Sequence, residues 1–391
     1  MEKSWQKKLL EVTSKLEHAF DKKKLAIKNK AGLVDDLRIQ AYRGYGNSKK
    51  LHITGRVIEK RGTKTPEADD SVLDNMLTLF HRYESDEIPA IDLGIKVGDK
   101  EFDATTDDEG YFTLDIENPT EGENSWLSYT AYLKDNPYQD EKSINSGKLI
   151  IQNPKQKLGV ISDLDDTVVV SQATNFLEKS KILLLNNEHT RKPFAGVAKF
   201  YQALAKGKWE KPDVPFFYVS SSSWNLYDMF YNFCKINQIP QGCFLLRDVG
   251  LDENKFYRSS HGSHKKDKIE AVLKTFGDTK FIFIGDSGQH DPEIYRDLAK
   301  EYAGQMEAVY IRDVHPEKDK TRDEQVKLIC KETERLGVPM LQVTDSYQAA
   351  KDAFSRGFIE EKYLMEIKKE TEKDDKEEEE ESKIKQFLGL N

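Results

Sequence analysis

Six short apolar runs constrain the second half of this 391-residue chain more than any other feature. They are Lys157–Ser162, Val214–Ser220, Gly242–Leu246, Lys280–Gly285, Glu307–Arg312 and Met340–Thr344. Helical patterns separate most of them, notably Gly196–Ala205, Leu226–Asn237, Lys265–Phe276 and Tyr347–Arg356. A strand that is apolar along its whole length is buried on both faces. Such strands alternating with helices predict an α/β fold with a doubly wound parallel sheet. Ligands in that architecture bind at the carboxyl ends of the strands.

Four segments carry candidate chemistry, and three of them directly follow predicted strands. Asp163-Leu164-Asp165-Asp166-Thr167 follows LGVIS, with carboxylates at i and i+2 leaving the strand toward one crevice. Grouping like charges there is costly unless a cation or a proton neutralises them. The run Ser220–Ser223 follows PFFYV; hydroxyls and N–H groups at a helix start form an anion cradle. His264-Lys265-Lys266 opens a helix. Gly285-Asp286-Ser287-Gly288-Gln289-His290-Asp291 follows KFIFI, with two carboxylates five residues apart. Trp224 and Tyr227, beside the serine run, suit either the core or contact with an apolar part of a ligand.

In order and spacing, these segments resemble the four motifs of the haloacid-dehalogenase (HAD) superfamily over about residues 157–345. The resemblance implies a phosphatase. Asp163 would be the nucleophile and Asp165 the general acid and base. Thr167 would shape the motif turn and contribute to phosphate binding. Ser220 and the Ser221 N–H would hold the phosphate, with the register among Ser220–Ser223 open. Lys265 would neutralise the nucleophile and the phosphate, with Lys266 and Lys268 as alternatives. Mg²⁺ would be held by Asp163, Asp286 and the backbone carbonyl of Asp165, hard oxygen ligands that suit it. Asp291 would act behind them, holding a metal-bound water or the lysine.

A narrower likeness rests on DLDDTVVVS, RKPFAGVAKFYQAL, FFYVSSSSWNLYDMF, SHKKDKIEAVL and FIFIGDSGQHDPEIY. These are similar to the catalytic domain of the actin-patch-associated family of phosphatidate phosphatases. The likeness implies Mg²⁺-dependent conversion of phosphatidic acid to diacylglycerol, a phospholipid substrate, and contact with a membrane periphery. Two stretches where superfamily members often carry a cap domain are short. Val168–Arg191 has 24 residues and 247–264 has 18, so a minimal cap is expected. The alternatives are a HAD phosphatase acting on another large substrate, such as a phosphoprotein or a nucleic-acid end, and a non-catalytic scaffold. No GxxxxGK[ST] loop supports a fused P-loop kinase.

Before residue 153 the period of the pattern is two. Leu37–Tyr45, Leu51–Glu59, Ala90–Val97, Tyr111–Ile116 and Trp126–Leu133 alternate apolar and polar residues. They predict a small β-sandwich, with a helical insert at Ser71–Tyr83. Thr106–Phe112 resembles the turn-into-strand motif of transthyretin-like domains, in which Asp and Gly shape the turn and an aromatic enters the core. The expected organisation is a basic amphipathic helix over residues 1–34, the β domain over 35–152, the catalytic domain over 155–358 and a charged helical or disordered tail over 359–391.

Charge fits this division. Of the formal net charge of −9, the twelve residues Glu370–Glu381, with nine acids and two lysines, carry −7, which leaves −2 for the rest. No stretch approaches the ~18 apolar residues of a membrane span. MEKSWQKKLLEV interrupts every apolar run with charge, unlike a secretory signal. Cys234, Cys243 and Cys330 form an odd set without CxxC spacing and are expected to be free thiols. A cytoplasmic protein is expected, with peripheral membrane contact open, no nucleic-acid partner, and an unknown protein partner for the β domain.

Overall fold

The computed structural model describes residues 37–59, 88–122, 125–134, 144–164, 194–207, 214–247, 261–314 and 320–373. The expected helix over 1–34, the insert at 71–83, Asp165, Asp166, Thr167, the 168–191 stretch and the acidic tail beyond 373 lie outside them. The described residues divide into two compact units, before and after the Ile151–Gln152 junction.

The first unit is a mostly antiparallel sheet. Its strands are β1 (Leu37–Ala41), β2 (Gly44–Gly46), β3 (Lys50–Glu59), β4 (Asp92–Val97), β5 (Lys100–Thr105), β6 (Tyr111–Glu117), β7 (Trp126–Leu133) and β8 (Ile144–Ile151). The hydrogen-bonded order is β1-β3-β2-β8-β7-β4-β5, with β6 on β3. Alternating residues feed one core: Leu51, Ile53 and Val57 from β3, Leu93, Ile95 and Val97 from β4, Tyr129 and Ala131 from β7. The expected run Leu37–Tyr45 divides into β1 and β2. Strands β5 and β8 were absent from the alternation pattern. β5 ends the strand order with an exposed, charged face, and the first half of β8 reads INSGK.

The turn before β6 forms as its residues dictate. The Asp107 carboxylate accepts the N–H groups of Glu109 (3.0 Å) and Tyr111 (2.9 Å). Gly110 takes φ +81°, a left-handed conformation that glycine adopts without strain. Phe112 then enters the core, and the Arg56 guanidinium lies 4.6 Å from the centre of the Tyr111 ring.

The second unit is an α/β fold. Its strands are β9 (Leu158–Asp163), β10 (Phe216–Ser223), β11 (Cys243–Arg247), β12 (Lys280–Asp286), β13 (Met306–Arg312) and β14 (Met340–Val343). All neighbouring strands pair in parallel, in the order β11-β10-β9-β12-β13-β14. Its helices are α1 (Val197–Lys206), α2 (Tyr227–Ile236), α3 (His261–Thr275), α4 (Asp291–Tyr302), α5 (Lys320–Arg335) and α6 (Ser346–Ser355), followed by α7 over residues 361–373. Every residue of β9 is buried, as are the FFYV and FIFI segments of β10 and β12. Parallel strands covered on both faces require this.

All six apolar runs are strands. Helices α4 and α5 were not expected, because their polar faces carry so much charge that the apolar stripe is thin. α4 buries Ile294, Tyr295, Leu298 and Ala299, and α5 buries Val326, Ile329 and Cys330. α7 buries Ile367 and Thr371, so the start of the expected tail packs within this unit. The three cysteines are free and buried. No helix among the described residues is long and apolar enough to cross a membrane.

Candidate active site

Chain order reverses between β9 and β12: successive strands run outward through β10 and β11 on one side and through β13 and β14 on the other. Such a switch point leaves a crevice at the carboxyl ends of the two central strands. Asp163 is the last residue of β9, and Asp286 is the last residue of β12. Ser162 pairs in register with Ile284, so Asp163 lies one residue and Asp286 two residues beyond the same rung.

The loop after β12 closes the crevice with Asp291, the first residue of α4. An acidic first turn suits the positive end of a helix dipole, and Pro292 costs no hydrogen bond there. Asp291 Oδ2 accepts the N–H of Asp286 at 3.2 Å, and Asp286 Oδ1 accepts the N–H of Gln289 at 2.8 Å. Gly285 makes this closure possible: a Cβ there would lie 2.6 Å from Asp291 Oδ2.

Lys265 comes from α3. It occupies the buried stripe that continues through Ile269, Val272 and Leu273, one turn ahead of Ile269. Its ammonium pairs with Asp163 Oδ1 at 2.6 Å and donates a short hydrogen bond to Asp291 Oδ1. Lys266 instead faces Glu270 and Glu301, and the Lys268 ammonium donates to the Leu246 carbonyl.

Asp163, Asp286 and Asp291 are completely buried, and their carboxylate oxygens lie within 4.8 Å of one another. Burial disfavours the charge on Lys265. The fields of Asp163, Asp291 and Asp286 outweigh that, so its ammonium stays protonated above the ordinary lysine range. Among the described residues, three buried carboxylates face one buried ammonium, a formal −2. A divalent cation with a preference for hard oxygen donors fits that deficit.

Two buried tyrosines back the strand ends. Tyr201 Oη lies 2.7 Å from Ser162 Oγ, which donates to the Asp163 carbonyl at 2.6 Å. Tyr295 Oη donates to the Ile284 carbonyl at 3.0 Å. Burial, followed by the nearby acidic groups, holds the Tyr295 phenol well above its usual range, so it remains a neutral donor. Sequence reasoning missed both residues; a tyrosine in an apolar stripe reads as core.

The serine run differs from expectation. Ser220–Ser223 finishes strand β10 rather than starting a helix; the 3₁₀ turn Trp224–Leu226 intervenes before α2. Val219 pairs in register with Asp163, so Ser220 lies one residue beyond the candidate nucleophile on the adjacent strand. Ser220 is buried, and its Oγ accepts the N–H of Ser222 at 2.8 Å. Ser221 is half-buried beside it. Trp224 and Tyr227 are buried and stacked 6.0 Å apart, which favours their reading as core. Arg312 stacks on Phe194, 3.8 Å from the ring centre. Of the expected site residues, Asp163, Lys265, Asp286 and Asp291 meet at this crevice, Ser220 and Ser221 lie on the adjacent strand just beyond the Asp163 register, and Asp165 and Thr167 lie outside the described residues.

Residues 158–313 match the family model for the catalytic domain of phosphatidate phosphatase APP1. Phosphatidate phosphatase APP1 of Saccharomyces cerevisiae is 30% identical over 155 residues, which are 40% of this chain and 26% of that protein. An uncharacterized protein of Schizosaccharomyces pombe is 25% identical over 223 residues, 55% of this chain and 35% of its own length. The chain therefore spans only 26% and 35% of these relatives. Among solved structures, a chain of a Pnkp1/Rnl/Hen1 complex aligns over 39% of this chain and 49% of its own, at 18% identity and a TM-score of 0.25. Residues 158–313 thus resemble an APP1-type phosphatidate phosphatase catalytic domain and contain every described candidate residue of the crevice.

Proposed function

We propose that this chain is a Mg²⁺-dependent phosphatase of the HAD type that hydrolyses phosphatidic acid to diacylglycerol and phosphate. The observation that carries the proposal is the Asp163–Lys265–Asp286–Asp291 cluster. It is buried at the switch point of a parallel sheet, within the stretch that resembles the APP1 catalytic domain. In this reading the catalytic unit covers 155–358, the β unit is a transthyretin-like sandwich without chemistry of its own, and the protein works in the cytoplasm at a membrane periphery.

The residues divide the work by their chemistry. The Asp163 carboxylate attacks phosphorus and displaces the glycerol oxygen, forming an aspartyl-phosphate. Asp165, two residues further along the chain, gives its proton to the departing oxygen. It then takes one from the water that releases phosphate from Asp163. Lys265 stays charged throughout and neutralises both Asp163 and the transferring phosphoryl oxygens. Ser220 and the Ser221 N–H hold the non-bridging oxygens, and Thr167 keeps the motif turn in shape. Asp163, Asp286 and the Asp165 carbonyl would hold Mg²⁺, which when bound shields the dianion from the incoming carboxylate and stabilises the charge of the transition state. Asp291 fixes Lys265 and the Asp286 backbone from behind.

Phosphate release from phosphatidic acid in mixed micelles tests this. Lysophosphatidic acid, diacylglycerol pyrophosphate, phosphopeptides and 3′-phosphorylated DNA serve as comparison substrates. The proposal expects phosphatidic acid to be turned over fastest. Turnover of a phosphopeptide or a DNA end without lipid turnover would replace the substrate assignment. No turnover of any ester would favour a scaffold.

A further inference from the structure

Arg322 lies in α5, outside the stretch 158–313 and outside every motif, yet its guanidinium reaches the loop between β12 and α4. Its Nε donates to the Ser287 carbonyl at 2.7 Å, and Nη2 donates to the Gln289 carbonyl at 2.6 Å. Nη1 and Nη2 also reach the two Glu293 oxygens at 2.5 and 3.1 Å. A guanidinium is a rigid planar fork, so one side chain sets the distance between two loop carbonyls and ties both to the first turn of α4. The ion pair outweighs partial burial and holds the Glu293 carboxyl below its ordinary range, so the anchor is charged at neutral pH.

The loop so held begins at Asp286 and ends at Asp291, two of the three clustered carboxylates. Its residues 287–290 belong to no helix or strand. The start of the loop is also held by the Ser287 N–H, which donates to the Arg312 carbonyl at 2.8 Å, and by Ser287 Oγ, which accepts the Val314 N–H at 3.3 Å. Arg322 reaches the middle of the loop as well, at Gln289, whose N–H orients Asp286 Oδ1.

We infer that Arg322 is a positioning residue for the cation site: by clamping Ser287, Gln289 and Glu293 it holds Asp286 and Asp291 in the mutual placement that a divalent ion requires. It touches no reacting atom. The inference rests on the Mg²⁺-dependent reading above. Groups that orient metal ligands typically shift metal affinity by about 10–100-fold when removed.

The test uses the full chain and its Arg322→Ala, Arg322→Lys and Glu293→Gln variants. Two readouts are compared: Mn²⁺ binding followed by electron paramagnetic resonance, and the Mg²⁺ concentration that half-saturates phosphate release. In Arg322→Ala and Arg322→Lys both should weaken by about 10-fold or more, while the rate at saturating Mg²⁺ changes much less. Lysine keeps the charge but lacks the planar five-donor fork that meets two carbonyls and both Glu293 oxygens at once, so it should not rescue. Glu293→Gln, which keeps the carbonyl bonds, should give a smaller shift in the same direction and serves if Arg322→Ala does not fold. Variants that melt earlier but bind Mn²⁺ like the wild type would overturn the inference alone. A wild-type chain that binds no Mn²⁺ would overturn the metal assignment beneath it as well.

Discussion

Lys265 shows why a single residue in this site is informative. Three lysines within four positions compete for the same role in the sequence. The fold separates them: Lys265 is buried with Ile269, Val272 and Leu273, where a lysine must find carboxylates, whereas Lys266 and Lys268 are partly exposed. Replacing Lys265 with Met should lower phosphate release on the order of 10²–10³-fold. Lys266→Met removes only surface pairs and should leave the rate within about two-fold. Steady-state assays on the two variants check this. Gly285 makes a second test at the same scale. A methyl group there would lie 2.7 Å from Asp291 Cβ, so Gly285→Ala should push Asp291 off Lys265. The expected cost is about 1–3 kcal/mol in denaturant unfolding, together with loss of activity. Asp163 and Asp286 were legible because chemistry restricts residue type at a strand end, and Lys265 because a basic run opens a helix. Tyr201, Tyr295 and Arg322 were not, because each acts through backbone or through another side chain and leaves no pattern along the chain.

Elements explain which parts of the fold a linear pattern reveals. Runs such as FFYV and FIFI need no context, since strands covered on both sides are apolar throughout. β5, α4 and α5 are amphipathic elements with thin apolar stripes, and only their neighbours decide what they become. The serine run shows the same limit. Four serines do not signal where a strand stops, and backbone pairing with β11 carries β10 on to Ser223, which lies opposite Arg247. The contact between α4 and α5 has a pH signature through Glu293. Burial alone would raise its pKa, but Arg322 brings it below the 4.5 of an ordinary glutamate. A depressed carboxyl stabilises the fold above its unfolded pKa and loses that contribution as pH falls through the folded value. Thermal melts should therefore show wild type above Glu293→Gln at pH 7, with the gap shrinking below about pH 4.5. A gap independent of pH would remove the ion pair from the account.

At the scale of the molecule, the strand order sets the position of the chemistry before any side chain is considered. With β9 and β12 adjacent and the chain leaving in opposite directions, the crevice falls between Asp163 and Asp286. The sequence shows the six strands but not their order, which depends on crossovers that no local pattern encodes. The charge division is legible from composition; the packing of 361–373 is not, because Tyr363, Leu364, Met365 and Ile367 are scattered in a charged stretch and only the fold makes Ile367 the buried one of the four. Ile367→Ala should cost about 2–5 kcal/mol if that helix completes the α/β unit, and equilibrium unfolding measures it. In the proposed function, the buried carboxylate cluster hydrolyses a lipid phosphate with the help of a divalent ion. Phosphate release from phosphatidic acid, measured for the wild-type chain and for Asp163→Asn with Mg²⁺ and again with EDTA, tests it most directly. The account predicts release only by the wild type with Mg²⁺, and an Asp163→Asn variant that folds but releases none. Release that persists in Asp163→Asn, or that EDTA leaves unchanged, would contradict it.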